Sequence, residues 1–267
     1  MSIYNATSDS LIINIINSNI ELSKEISINN NLKKVSFIGD SKESSIITFN
    51  DISLGFSFYN SLQEIKFKNI TLYGILRFTH INNVEFDNVI LNGSFISASN
   101  SLNNDTLKFN NLIFTSVRNS KIQFCFRLYG NQKNSLSILN SYFNGKYLNG
   151  CLDVKNGDNI NIKYSTFENG NSTLNGGGAL RISNSKKVLI ENSYFNNNYS
   201  EMDGGVFYIS NVNNLLSNNI KVYNATASLN GSVLYINTES IISEVYFNDI
   251  NLNIIKNINY GGLVATY

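Results

Sequence analysis

The sequence predicts an all-β fold, a parallel β-solenoid whose coils hold about 19–30 residues. Three observations predict it. A short pattern of apolar residues and asparagine recurs eight times at that spacing. The segments that carry the pattern alternate apolar and polar residues, as strands with one buried face do. The 267 residues include no proline, which is excluded from strands that donate backbone hydrogen bonds to a neighbour.

The first strand of each coil is predicted from the repeated pattern apolar, x, apolar, x, Asn, x, x, apolar. It is clearest at Val188, Ile190, Asn192 and Phe195, and in one copy Tyr164 replaces the asparagine. The second apolar positions of the eight copies are Phe67, Phe86, Phe109, Ile138, Ile162, Ile190, Ser217 and Phe247. In stacked coils the same position recurs about every 4.8 Å, so we expect each column to pair along the axis.

The surplus of asparagine, 49 residues in all, is interpreted as largely corner and ladder residues of this coil. An asparagine turned inward at a corner can hydrogen-bond its amide to the next coil and to freed backbone groups, and such ladders stabilise stacked strands. The predicted ladder comprises Asn69, Asn88, Asn111, Asn140 and Asn192, with Asn219 and Asp249 as weaker members.

A second strand is predicted from the short apolar run that follows each copy and is often opened by glycine. Glycine and asparagine between the runs supply the positive φ that a tight corner needs. These runs cover residues 75–78, 94–98, 124–128, 150–154, 177–182, 204–209, 231–236 and 261–266. Propeller blades of about 40 residues are longer than this period, and a sandwich gives no reason for residues to recur at fixed positions.

The domain organisation follows from the extent of the repeat. We expect a single β-helix domain over 1–267, with N-terminal coils in 1–60 and about eight repeat coils in 61–267. The chain ends on a strand run, GGLVATY, without a polar cap. We therefore expect it to be part of a longer protein, and an uncapped last coil would allow end-to-end association.

Composition excludes several classes of protein. Lys and Arg (20) balance Asp and Glu (19), which excludes an electrostatic nucleic-acid binder. Two cysteines cannot hold a closed zinc site, and we predict neither a metal nor a cofactor. Cys125 and Cys151 fall at the same position of adjacent coils, which allows either two packed thiols or a disulfide. Neither a signal peptide nor a membrane-spanning helix is expected in this chain.

One segment carries a resemblance to a known family. Gly177-Gly178-Ala179-Leu180, together with Phe195 and Asn198, resembles the repeats of chlamydial polymorphic outer-membrane proteins, mainly over residues 140–267. The whole chain resembles the pectin-lyase-like superfamily of right-handed parallel β-helices, whose N-terminal coils are similar to residues 35–39 and 46–49. The resemblance implies a right-handed coil and an extracellular or cell-surface setting.

The resemblance also raises the question of catalysis, because many members of that superfamily cleave acidic polysaccharides. The Asn-Thr-Asp, Asp-Asp, Gly-His-Gly and Arg-Ile-Lys motifs of its polygalacturonases do not occur in this sequence. His80, the single histidine, is interpreted as a surface turn residue, and Asp153 is the one acid on a well-aligned strand position. We expect a non-catalytic structural or adhesive module with glycans or proteins as ligands. The alternative is a polysaccharide lyase or glycoside hydrolase with a diverged active site.

The candidate ligand-binding residues form one outward column of the second strands. Within it, Arg127, Asp153 and Arg181 are predicted to alternate in charge on successive coils, and Tyr208 and Tyr235 to continue as an aromatic strip. Either the column only stabilises the sheet by cross-strand pairing, or it is a shallow groove that binds sugar rings and acidic groups. The full column reads Arg77, Ser97, Arg127, Asp153, Arg181, Tyr208, Tyr235 and Ala265.

Overall fold

The fold is described by a computed structural model that covers residues 2–6, 9–28, 32–59, 62–79, 83–98, 104–117, 124–238, 244–259 and 262–266. Every element that these residues form is a β-strand, and within these ranges no helical segment has the length and hydrophobicity to span a bilayer. The strands are β1 (Ser2–Ala6), β2 (Ser10–Ile15), β3 (Asn19–Leu22), β4 (Ile26–Ile28), β5 (Lys34–Gly39), β6 (Ile46–Phe49), β7 (Gly55–Phe58), β8 (Glu64–Lys68), β9 (Thr71–Thr79), β10 (Asn83–Ala98), β11 (Thr106–Ser116), β12 (Phe126–Leu139), β13 (Tyr142–Asn144), β14 (Leu152–Lys163), β15 (Thr166–Glu168), β16 (Asn171–Ser172), β17 (Leu180–Ser200), β18 (Phe207–Ala227), β19 (Leu234–Asn237), β20 (Glu244–Asn257) and β21 (Val264–Thr266).

The strands pair in parallel with their counterparts one coil away, so that the chain forms a β-solenoid of about nine turns. Val188, for example, pairs with Ile160 in the coil before it and with Leu215 in the coil after it. The predicted all-β solenoid is therefore confirmed. The exception is β1, which pairs antiparallel with β2 at the N-terminal edge.

Each coil contributes a strand segment to three faces, which we call A, B and C. In the coil that contains β17, face C is 180–183, face A is 187–191 and face B is 193–196. Long strands such as β17 and β18 bend around the corners between faces and keep one register throughout, although the corner residues themselves, such as Asn184 and Asn192, are not paired. The predicted first strands lie on face A and the glycine-opened runs on face C.

The corner between faces A and B is formed by the repeated asparagine position. The seven predicted ladder residues and Tyr164 all have a left-handed backbone, with φ between 49° and 56°. Asparagine tolerates this conformation better than most residues, and the turn directs the next residue, such as Val89 or Leu112, into the core.

The asparagine side chains form a ladder, but they face solvent and not the interior. Asn88 Nδ2 donates to Asn69 Oδ1 at 2.9 Å, and Asn111 Nδ2 donates to Asn88 Oδ1 at 3.0 Å. Asn219 donates to Asn192 in the same way at 2.6 Å. The prediction of an inward ladder is wrong because a left-handed corner turns its own side chain outward while its neighbours fill the core.

The interior is filled with stacked phenylalanine rings. Phe143, Phe167 and Phe195 lie on consecutive coils, with ring centroids 4.8 and 5.3 Å apart and planes within 11° of parallel. All three side chains are fully buried. Because the coil spacing equals a good ring-stacking distance, the same aromatic residue can repeat down one column without strain.

The two cysteines lie at matching positions of adjacent coils, as the repeat predicts, and both are free thiols. They are fully buried, and their sulfur atoms are directed to different backbone carbonyls, that of Val117 for Cys125 and that of Glu168 for Cys151, each at 3.5 Å. Burial raises the pKa of the Cys151 thiol to about 12. Of the two alternatives, the structure contains packed thiols.

Candidate functional site

The outward column of face C brings the five candidate residues into one line. Arg127 pairs with Asp153, and Asp153 pairs with Arg181 on the next coil. Tyr208 and Tyr235 follow in register on the next two coils. The sequence therefore identified this row of neighbours correctly over five consecutive coils.

The column differs from the prediction at one position. Ile96, and not Ser97, pairs with both Arg77 and Arg127. Ser97 instead pairs with the core residues Phe78 and Leu128. The prediction slipped by one residue because alternation is weak in this run, where Ser94 and Phe95 are both buried.

Asp153 is the buried centre of the column. Although it belongs to an outward position, only 3% of it is exposed. The Tyr129 hydroxyl donates to its Oδ2 atom at 2.9 Å. Burial raises the pKa of the Asp153 carboxyl, and the opposing influence of Arg181, of the Tyr129 hydrogen bond and of Arg127 does not cancel that rise.

Both arginines contact a tyrosine ring, Arg127 within its own coil and Arg181 on the next coil. The Arg127 guanidinium carbon lies 5.9 Å from the ring centroid of Tyr129, and that of Arg181 lies 5.8 Å from the ring centroid of Tyr208. The rings of Tyr208 and Tyr235 stack at 5.2 Å with an interplanar angle of 21°. Cation–π contacts at these distances contribute about 0.5–1 kcal/mol each at exposed sites.

The two arginines retain hydrogen-bonding capacity. The Nε atoms of Arg127 and Arg181 are buried, and in the part of the chain that the structure describes they have no hydrogen-bond partner. A guanidinium has five N–H donors in a fixed fork, a geometry that suits carboxylate and sulfate groups.

Sequence reasoning missed two residues of this surface, Tyr129 and Lys155. They are paired with each other on adjacent coils, two residues beyond Arg127 and Asp153. The sequence could have identified both residues, because period-two alternation places every second residue of a strand on the same face. The predicted run ended one residue too early, at Leu128, to include Tyr129.

The five candidate residues together with Tyr129 and Lys155 form what we call the face C site. It contains three cationic side chains (Arg127, Lys155 and Arg181) and one carboxylate, and it is therefore positively charged. The described residues contain no group of three or more His, Cys, Asp or Glu side chains placed to hold a metal ion. His80 lies outside the described residues.

Comparisons with known proteins give little further information. Neither protein-family models nor curated protein sequences match this chain. Among solved structures, the chain is similar to a mannuronan C-5 epimerase A-module from Azotobacter vinelandii, with 8% identity and a TM-score of 0.31 over 96% of this chain and 89% of that one. A similarity at this level supports no inference about activity.

Proposed function

We propose that this chain is a non-catalytic β-solenoid module of an extracellular or cell-surface protein, and that it binds glycans through the face C site. The observation that supports this most directly is the stack of Tyr208 and Tyr235 in line with Arg181. Tyrosine rings pack against the apolar faces of sugar rings, and arginine binds acidic substituents through paired N–H groups. A right-handed coil, as in the pectin-lyase-like superfamily, is part of the same proposal.

The rigid backbone supports a binding role. Every residue of the site lies on a parallel strand that is paired on both sides, so little conformational entropy is lost when a ligand binds. Asp153 lies in register between the two arginines, and the positive charge of each favours its ionised form. The competing interpretation is that the column only stabilises the sheet, in which case cross-strand pairing contributes about 0.2–1 kcal/mol per pair without any ligand.

A glycan array presenting acidic and neutral glycans tests the proposal. We expect Tyr208→Ala with Tyr235→Ala to weaken binding by roughly 5- to 100-fold, since each aromatic contact is worth about 0.5–1.5 kcal/mol. The matched control is Tyr73→Ala with Tyr223→Ala, two tyrosines of face B that are 44% and 38% exposed. Equal losses in the two double variants, or no glycan binding by the unmodified protein, would contradict the proposal.

The alternative function, a polysaccharide lyase or glycoside hydrolase, is favoured by one observation. Burial raises the pKa of the Asp153 carboxyl, as a general acid requires, although the Tyr129 hydroxyl at 2.9 Å opposes that rise. Glycoside hydrolysis, however, normally uses two carboxylates, and the in-register neighbours of Asp153 are arginines. Release of reducing ends or unsaturated products from an array ligand, abolished by Asp153→Asn, would establish the alternative.

A further inference from the structure

A cleft at the corner between faces C and A borders the face C site at Lys155. It has a volume of about 300 Å³ and runs along four consecutive coils. Its lining contains five side-chain amides. Asn213 follows the corner, and the other four, those of Gln132, Asn156, Asn184 and Asn211, lie at the corner itself, where the three asparagines are in register. All four have a left-handed backbone, with φ between 50° and 64°, so each coil directs a side-chain amide outward at this corner.

The amides are held in line by contacts between coils. Asn211 Nδ2 donates to Asn184 Oδ1 at 3.2 Å, and Gln132 Nε2 donates to the Asn184 backbone carbonyl at 3.4 Å. A side-chain amide has two N–H donors and two acceptor lone pairs, so the single bond accepted by the Asn184 oxygen leaves it a second lone pair. The row therefore presents side-chain amide donors and acceptors along the solenoid axis.

The cleft is electrically neutral. Lys186 is the one charged residue in its lining, and its Nζ lies 2.9 Å from the Asp158 carboxylate. The row is separated from the cationic column by a short stretch of the same strands, which includes Lys155 and Ser183. A charged ligand would gain no net attraction here, whereas a ligand that both donates and accepts hydrogen bonds would fit.

We propose that this corner cleft binds a neutral saccharide through its hydroxyl groups. Each hydroxyl of a sugar ring is a donor and an acceptor, and neighbouring hydroxyls match the two ends of an amide. The volume is at the lower limit of small-ligand pockets, which suits a short stretch of a saccharide chain. The assignment does not depend on the face C site, because the residues and the charge of the two surfaces differ.

The test uses calorimetric titration of the intact chain with three neutral hexasaccharides, those of cellulose, starch and mannan. Asn184→Gly with Asn211→Gly removes two amides while glycine retains the left-handed corner. We expect this double variant to bind at least about fivefold more weakly, since two or three hydrogen bonds of about 0.5–1.5 kcal/mol each are lost.

The matched control is Asn88→Gly with Asn111→Gly, which breaks an equivalent 3.0 Å amide bond at the corner between faces A and B. Thermal unfolding of both double variants reports any loss of the fold. We expect the control to bind within about twofold of the unmodified protein, a change well below one hydrogen bond. Equal weakening in both variants, or no binding of any of the three hexasaccharides, would overturn the assignment.

Two further measurements separate this cleft from the face C site. Binding of the neutral hexasaccharide should persist in the Tyr208→Ala, Tyr235→Ala variant and in 0.5 M salt (roughly a 4 Å screening length). Loss of neutral-saccharide binding in that tyrosine variant would assign the ligand to face C and refute the cleft. If no acidic glycan of the array binds while hexasaccharide binding is intact, only the proposed function is refuted.

Discussion

The behaviour of Asp153 shows how one buried side chain departs from the pattern of its column. Parallel pairing places it between Arg127 and Arg181, as a charge-alternating column requires. The arginine side chains and Tyr129 cover it, so it loses the solvent that an outward position would otherwise provide. Its charge state is therefore determined more by burial than by its cationic neighbours.

Replacement of Asp153 by asparagine should make the stability of the protein less dependent on pH. Because the pKa of Asp153 is raised above its ordinary value of 3.8, the unfolded chain ionises first as pH rises. The unfolding free energy of the unmodified protein should therefore fall relative to that of Asp153→Asn between pH 3.8 and the raised pKa, and stay constant below this window. Urea unfolding at a series of pH values measures the difference.

Asp51→Asn is a control of opposite sign. A backbone hydrogen bond from Ser53 lowers the pKa of the exposed Asp51 carboxyl, so its contribution to stability is lost as pH falls through that lowered value. The difference between the unmodified protein and Asp51→Asn should thus rise with pH. If the difference in unfolding free energy between the unmodified protein and Asp153→Asn also rises with pH, or does not vary, the arginines and not burial control the pKa of the Asp153 carboxyl.

At the scale of one element, the corner rows determine where each strand turns. In the row of Asn69, Asn88 and Asn111 every residue adopts positive φ, and each amide bonds the next along the axis. The main role of this row is in the backbone conformation, because the left-handed turn directs the following residue into the core. The hydrogen bonds between amides then join one coil to the next.

A β-branched residue in this row should destabilise the fold. Asn88→Val breaks both amide bonds and places a branched side chain at φ 56°, so we expect the unfolding free energy to fall by about 1–3 kcal/mol. Asn88→Gly keeps the turn and should cost less. The control is Asn161→Val, at an exposed strand position of face A outside the corners, where valine favours the strand. Equal effects of the two valine substitutions in urea unfolding would contradict a left-handed corner.

At the scale of the whole molecule, we expect the last described coil of this chain to be less stable than the central coils. The central coils are covered on both sides, whereas apolar side chains of the last coil are exposed, among them Ile254 (44%), Ile258 (60%), Leu263 (42%) and Val264 (49%). In a solenoid each coil contacts only its neighbours, so a terminal coil loses half of its stacking interactions. End-to-end association through this coil stays a prediction, which concentration-dependent sedimentation tests.

Hydrogen exchange should follow the same gradient. We expect backbone amides of β20 and β21 to exchange roughly 100-fold faster than those of β14 and β17, because local opening near an end requires less free energy than opening at the centre. Mass spectrometry of peptic fragments measures both regions in one experiment. Uniform protection along the chain would indicate that the solenoid opens as a single cooperative unit.

The sequence alone determined the solenoid, the order of its strands and the five-residue row from Arg127 to Tyr235. These features depend on local rules, namely period-two alternation and the preference of asparagine and glycine for positive φ, which repeat in every coil. Tertiary structure decided the rest. It turned the asparagine ladder outward, placed Ile96 instead of Ser97 in the column, buried Asp153 and gathered four amides into a cleft. Each of these features depends on how a side chain packs against the neighbouring coil. The residues that make such a contact are about two dozen positions apart in the sequence, so local rules do not determine it.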